Sequence, residues 1–292
     1  MILNVSGRTD VCAFYSEWFF NRLRAGWFDV RNPFNPKMVS RIYLDNVDAF
    51  LFCTKNPLPM IDRLNEIKKP MLFHVTVTGY HEDIEPGVIY KKKLWEGLKT
   101  ISDKIGKDNL YIRYDPILIN ERYTVDYHVR AFEQLARKAA PIAGHIVISF
   151  LDDCKNVRNN VRKVSMRRPS AEEQEALGKA FSEIAKKYGL DVFACNERNM
   201  MEKYGFSSKA CFSQTKAFLL TGKALGKWKA RDCGCVEMAD IGEYCSCPHF
   251  CKYCYANFDE SLVAEKMRAH DPNSSLLTGY LSSDDVIKVR TK

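Results

Sequence analysis

The sequence predicts an α/β fold, a (β/α)6-type partial TIM barrel, from three observations. Short apolar runs rich in β-branched residues recur along the chain, and longer amphipathic stretches separate them. This alternation is typical of parallel strands joined by crossover helices. The chain has 292 residues, 46% of them hydrophobic, which is enough for one large core. We therefore expect a single domain over 1–292.

Six strands and five helices account for most of the chain. The predicted strands are 2–6, 48–53, 71–78, 109–114, 145–150 and 191–195. The predicted helices are 14–26, 59–69, 90–106, 124–140 and 170–189. The last helix has a serine N-cap, Ser170, and a glycine C-cap, Gly189.

Composition and charge limit the classes of protein to consider. No apolar run reaches membrane-spanning length, and the N-terminal apolar run is too short for a signal peptide, so we expect a soluble protein of the cytoplasm with no membrane partner. In a reducing compartment, clustered cysteines more often bind metal than form disulfides. The net charge of +8 permits an anionic partner without favouring one.

Polar and charged residues follow nearly every predicted strand. In a barrel these strand ends meet at one edge, where catalytic residues lie, so we interpret them as the lining of a pocket. Lys55 and Arg113 are candidates to bind a carboxylate of a cofactor or substrate, and a salt bridge with Asp115 is the alternative for Arg113.

The segment CPHFCKYCY, residues 247–255, carries three cysteines in a C-x3-C-x2-C spacing. Thiolates suit zinc or an iron–sulfur cluster. A structural zinc site uses four ligands, whereas a 4Fe–4S cluster held by three cysteines leaves one iron open to another ligand.

This segment resembles the signature loop of radical S-adenosylmethionine enzymes. The resemblance implies that Cys247, Cys251 and Cys254 ligate a 4Fe–4S cluster, and that S-adenosylmethionine occupies the fourth iron. It further implies cleavage to a 5′-deoxyadenosyl radical, which abstracts hydrogen from a substrate. Tyr253 matches the aromatic position near the adenine. A reductant such as flavodoxin or ferredoxin would supply the electron.

In that family the cysteine loop follows the first strand, whereas here it comes near the end of the chain. The resemblance therefore implies a circular permutation, with 235–242 as the family's first strand and 259–270 as its first helix. The second strand and its loop would be 2–10, which makes Ser6, Thr9 and Asp10 candidate S-adenosylmethionine contacts.

The rest of the chain is similar to spore photoproduct lyase and its relatives. It resembles most an uncharacterised bacterial radical-enzyme-like family. The motifs shared with that family include SGRTD, RNPFNP, RYDPI, SFLD and the terminal cysteine loop. This resemblance implies a fold and a cofactor but no substrate, which is left open among a peptide, a small molecule and a nucleic acid.

Four further cysteines, Cys195, Cys211, Cys233 and Cys235, are candidates for an auxiliary iron–sulfur cluster. A zinc site and ordinary thiols are the alternatives. The segment 196–235 would then be a cysteine-bearing insertion.

The competing hypothesis is a zinc- or iron–sulfur-binding protein that recognises nucleic acid without catalysis. It requires a basic surface around the cysteines. The charges there are balanced instead, which disfavours a nucleic-acid partner. The basic residues are Lys227, Lys229, Arg231 and Lys252, and the acidic ones are Asp232, Glu237, Asp240 and Glu243.

Overall fold

The computed structural model describes residues 1–195, 197, 201–207, 210–229 and 233–291, and its main element is a seven-stranded parallel sheet. The predicted α/β class with parallel strands is confirmed. The strands of this sheet are β1 (Ile2–Val5), β4 (Ala49–Thr54), β5 (Met71–Thr76), β6 (Leu110–Ile117), β7 (His145–Phe150), β8 (Asp191–Ala194) and β9 (Met238–Asp240). All six predicted strands are present, and β9 confirms the strand expected within 235–242.

The strand order is β8-β7-β6-β5-β4-β1-β9, and every neighbouring pair is parallel. The late strand β9 thus lies beside the N-terminal strand, with Ile2 opposite Met238. Within the part of the chain that the structure describes, β8 and β9 end the hydrogen-bonded order. The sheet is therefore open, whereas a closed barrel would pair these two strands.

The helices that connect β1 through to β8 pack on one face of the sheet. Leu98, Phe132 and Phe181 from three of these helices join the same apolar core as the strand residues Phe50 and Phe73. Placing these crossovers on one face winds β1 to β8 in one direction, whereas the connection from β8 to β9 crosses the other face. The helices are α1 (Val11–Phe14), α2 (Ser16–Ala25), α3 (Leu94–Ile105), α4 (Val125–Ala139), α5 (Lys155–Lys163), α6 (Ala171–Tyr188), α7 (Gln214–Thr221) and α8 (Glu260–Arg268).

The other face of the sheet is covered by the segment 210–238. Leu51 and Tyr111 point to this face, and Phe212, Ala217 and Val236 pack against them. The predicted cysteine-bearing insertion is therefore part of the core rather than an appendage. Its residues 196, 198–200, 208–209 and 230–232 lie outside the described residues.

Several predicted helices differ in detail from the structure. The stretch 59–69 forms a 3-10 helix, Leu58–Glu66, in which Pro59 has no N–H to donate. The stretch 14–26 divides at Tyr15, which separates α1 from α2. The predicted capping of α6 is confirmed, since Ser170 forms a capping box and Gly189 takes a left-handed conformation, φ 64°.

The sequence analysis missed α5, α7 and a second sheet. Strands β2 (Trp27–Asn32) and β3 (Asn35–Tyr43) form an antiparallel hairpin, and β10 (Val286–Val289) pairs with β3 in parallel. No helix among the described residues combines the length and apolarity that crossing a membrane requires.

Candidate metal centre

The cysteine loop, residues 247–254, is docked on the loop that follows β5. The N–H of Gly87 donates to the carbonyl of His249 over 2.9 Å, and the N–H of Lys252 donates to the carbonyl of Ile84 over 2.9 Å. A Cβ on Gly87 would lie 2.3 Å from the carbonyl oxygen of Pro248, so the approach requires glycine. The cysteine loop thus lies at the carboxyl edge of the sheet.

The three cysteines of this loop lie within electrostatic range of one another. Burial raises the pKa of each thiol, in the case of Cys251 to about 12. Uncharged thiols are therefore favoured unless a cation is bound, because a metal ion deprotonates the thiols that coordinate it. The Sγ of Cys254 already accepts the N–H of Ala256 over 3.4 Å, an arrangement that suits a thiolate.

Asp10 holds the cysteine loop to the ends of β1 and β4. Its Oδ2 accepts the N–H of Lys55 at 2.7 Å and lies 2.9 Å from Nε2 of His249. Its Oδ1 accepts the hydroxyl of Thr54 at 2.7 Å. His249 is buried and also contacts the carbonyl of Gly87 through Nδ1. His249 thus packs within the loop, and Asp10 has a positioning role beside the cysteines.

Ser6 and Thr9 lie in the same turn after β1. The Oγ of Ser6 accepts the N–H groups of Arg8 and Thr9 at 3.1 and 3.3 Å. The hydroxyl of Thr9 is buried and has no hydrogen-bond partner among the described residues. A buried hydroxyl without a partner is costly, so Thr9 has an unused capacity to bind a ligand.

Asp240, at the end of β9, fixes this turn from the other side, and the sequence analysis gave it no such role. Its Oδ2 accepts the N–H of Gly7 at 2.8 Å and its Oδ1 accepts the N–H of Gly242 at 2.7 Å. Arg8 forms an ion pair with the same carboxylate. An aspartate followed closely by a glycine at a strand end is the signal that could have indicated it.

Glu85 links Lys55 and Tyr253 beneath the cysteine loop. Its carboxylate pairs with Nζ of Lys55 at 2.8 Å and with Nζ of Lys91 at 2.7 Å, and it accepts the hydroxyls of Thr78 and Tyr253. Burial alone would raise the pKa of Glu85, but the two ammonium groups outweigh burial and lower it to about 2. The structure therefore brings two predicted site residues together through a glutamate that the sequence analysis missed.

Lys55 also lies close to the thiols. Its Nζ is 5.4 Å from the centroid of the Tyr253 ring, and its charge acts on Cys251 and Cys254. A cation here stabilises negative charge on sulfur. The ammonium group of Lys55 is thus placed to compensate a thiolate-bound centre.

Arg113 lies apart from this group. It forms an ion pair with Asp115, the alternative considered for it, and its Nη1 lies 3.5 Å from Nδ1 of His74. The same Nη1 donates to Sγ of Cys211 at 3.8 Å. Arg113 thus belongs to the surroundings of the second cysteine set.

The second cysteine set, Cys195, Cys211, Cys233 and Cys235, is brought together by the fold. The sulfurs of Cys211 and Cys235 lie 3.7 Å apart. Cys195 and Cys233 lie within electrostatic range of Cys211. In the described part of the chain, no three His, Cys, Asp or Glu side chains are arranged as a finished metal site, in either set.

A cavity of about 820 Å³ opens between the loop after β5 and α4. Thr78, Glu85 and Lys91 belong to its lining, together with Trp95 and Arg130. Glu85 therefore lines this cavity, and its carboxylate also accepts the hydroxyl of Tyr253 in the cysteine loop.

Comparison with known proteins places the chain in a family. Comparisons with curated proteins and with solved structures give no match. One family matches residues 2–256, a range that includes both cysteine sets and ends directly after the cysteine loop. Since this range covers most of the chain, the protein belongs to the family described as Domain of unknown function (DUF1848).

Proposed function

We propose that this protein is a radical S-adenosylmethionine enzyme built on a circularly permuted partial barrel. The observation that carries the proposal is the docking of a three-cysteine loop at the carboxyl edge of a parallel sheet in which the helices connecting β1 to β8 lie on one face. The neighbouring positions of β9 and β1 support the permutation, since β9 takes the place of a strand that precedes β1.

The donor set fits a 4Fe–4S cluster with one open iron better than it fits a four-ligand ion. The only other cysteine close in sequence, Cys245, is fully buried, and its Sγ donates to the carbonyl of Ala256 at 3.9 Å, as a protonated thiol does. The backbone of Cys245 takes a positive φ of 52°, and its N–H donates to the carbonyl of Ala256. Cys247, Cys251 and Cys254 are thus left as three ligands.

When bound, the cluster would supply the electron that cleaves S-adenosylmethionine to a 5′-deoxyadenosyl radical. The chain's own residues would hold and charge-balance it. Lys55 compensates the negative charge of the thiolates. Asp10 and His249 together hold the cysteine loop against the ends of β1 and β4. Thr9 is placed to give its unpaired hydroxyl to a ligand, as expected of an S-adenosylmethionine contact.

The experiment is anaerobic reconstitution with iron and sulfide, followed by dithionite and S-adenosylmethionine. We expect about four irons per chain at this centre, and 5′-deoxyadenosine as a product. Cys251→Ala should lose both, whereas Cys154→Ala, which changes a half-buried cysteine outside both sets, should keep both. Formation of 5′-deoxyadenosine by Cys251→Ala, or stoichiometric zinc in place of iron in the wild type, would overturn the proposal.

A further inference from the structure

The second cysteine set has a geometry of its own, independent of the cysteine loop. Its thiols form a row in which the central sulfurs, of Cys211 and Cys235, lie 3.7 Å apart, and Cys195 and Cys233 lie outside them, within electrostatic range of Cys211. The two ends of the row, Cys195 and Cys233, also lie within electrostatic range of each other. Four thiols from three separate parts of the chain therefore converge on one place.

A hydrogen-bond donor is already directed at one of these sulfurs. Nη1 of Arg113 donates to Sγ of Cys211 at 3.8 Å. Gly234 takes a positive φ of 69° between the last two cysteines, which bends the backbone there. Donors to sulfur are the surroundings that metal-bound thiolates require, whereas apolar packing of neutral thiols needs none.

The spacing of the sulfurs distinguishes a single ion from a cluster. Thiolates on one tetrahedral zinc ion, with Zn–S bonds of about 2.3 Å, lie about 3.8 Å apart. The sulfurs of Cys211 and Cys235 are 3.7 Å apart. In a 4Fe–4S cluster each cysteine binds a different iron, so the sulfurs lie farther apart.

We propose that Cys195, Cys211, Cys233 and Cys235 bind one tetrahedral zinc ion. Binding would close the row into a tetrahedron by turning the outer side chains, Cys195 and Cys233. The sulfurs of Cys211 and Cys235 are well beyond the roughly 2.05 Å of a disulfide bond, and all four cysteines are free.

This zinc ion would hold the segment 210–238 against the sheet. Cys195 follows β8 at one edge of the sheet, and the other three ligands flank the part of 210–238 that lies across the second face. Closing such long loops restricts the unfolded chain most, so the ion would stabilise the connection between β8 and β9 on this face. The inference does not depend on the proposed radical chemistry.

The test is the zinc content of the full-length protein purified from zinc-supplemented medium without iron reconstitution. We expect about one zinc per chain in the wild type and in the triple variant Cys247→Ala, Cys251→Ala, Cys254→Ala. The double variant Cys211→Ser, Cys235→Ser should lose the zinc, and Cys154→Ser should keep it. Zinc that remains in the double variant, or that disappears in the triple variant, would contradict the assignment.

X-ray absorption at the zinc edge covers the case in which the double variant does not fold. The wild-type and triple-variant spectra should both fit four sulfur ligands at about 2.3 Å. Nitrogen or oxygen ligands, or a second iron cluster that survives in the triple variant, would each overturn the proposal. Loss of 5′-deoxyadenosine formation alone would bear only on the radical chemistry.

Discussion

At the residue scale, Glu85 organises the interior beneath the cysteine loop. One buried carboxylate neutralises Lys55 and Lys91 and accepts the hydroxyl of Tyr253. Two ammonium groups in a buried position are tolerable only if a counter-charge is close. Glu85 therefore links the loop after β5 to a lysine after β4 and to the cysteine loop. A single substitution at Glu85 should disturb the packing of all three.

Glu85→Gln should destabilise the fold strongly, because it keeps the shape of the side chain but leaves both ammonium groups without a counter-charge. We expect a loss of about 3 kcal/mol in the free energy of unfolding, measured by urea denaturation of metal-free protein. Asp103→Asn is the control, since it removes an exposed ion pair with Lys99. Equal midpoints for the two variants would contradict the role of Glu85.

The same carboxylate should make stability depend on pH. Its pKa is lowered from 4.5 to about 2, so its contribution is complete above the unfolded pKa and is lost as the pH falls towards 2. The difference in unfolding free energy between wild type and Glu85→Gln should shrink by about 2 kcal/mol between pH 6 and pH 3, at 1.36 kcal/mol per pKa unit. A constant difference over this range would refute the lowered pKa.

At the scale of elements, the site depends on two loops that meet closely. The backbone of Gly87 lies against Pro248 and His249 with no room for a side chain. Phe250 within the cysteine loop also takes a positive φ of 51°, which a non-glycine residue adopts only when its surroundings hold it there. The loop after β5 thus supplies the surface that shapes the cysteine loop.

Gly87→Ala should push the cysteine loop away from the sheet, because the added Cβ would overlap the Pro248 carbonyl. We expect a loss of about 1–3 kcal/mol in unfolding free energy, and faster alkylation of the buried Cys251 in metal-free protein, followed by mass spectrometry. Gly226→Ala is the matched control, since a Cβ there meets nothing within 4 Å. Unchanged alkylation in Gly87→Ala would show that the two loops are not in close contact.

At the scale of the whole molecule, the seven-stranded sheet carries the site, and β10 is the peripheral strand of the second sheet. Strand β10 pairs only with β3 among the described strands, and its four residues are all exposed. An ion pair between Arg31 and Asp285 adds one contact to that sheet. Neither β10 nor its partners reach the cysteine loop or the second cysteine set through a strand pairing.

Removal of residues 282–292 should therefore leave the main sheet folded. We expect an unchanged far-ultraviolet circular dichroism spectrum apart from the lost strand, a single cooperative thermal transition, and the same zinc and iron contents as the full chain. The loss of β10 exposes an edge of β3, so some self-association is expected in sedimentation. Loss of cooperative unfolding would show that the small sheet supports the core.

The main sheet was predictable because its signals are local. Apolar β-branched runs identified the six strands of the main sheet that precede β9 in the chain, and capping residues identified both ends of α6. The hairpin of β2 and β3 was missed because its strands are mostly partly or fully exposed and contain no long apolar run. The 3-10 helix at Leu58–Glu66 has an amphipathic pattern that sequence periodicity does not separate from an α-helix.

The sequence by itself determined the parallel α/β architecture and indicated which cysteines are candidate ligands. Both signals are local, because strand patterns and the spacing of ligands depend on residues close to one another in the chain. Only the tertiary structure decided which groups meet. In the folded chain Glu85 lies between Lys55 and Tyr253, and Arg113 lies beside Cys211. Four thiols separated by up to 40 residues lie near one another. Such contacts depend on how loops cross the edge of the sheet, which no local pattern specifies.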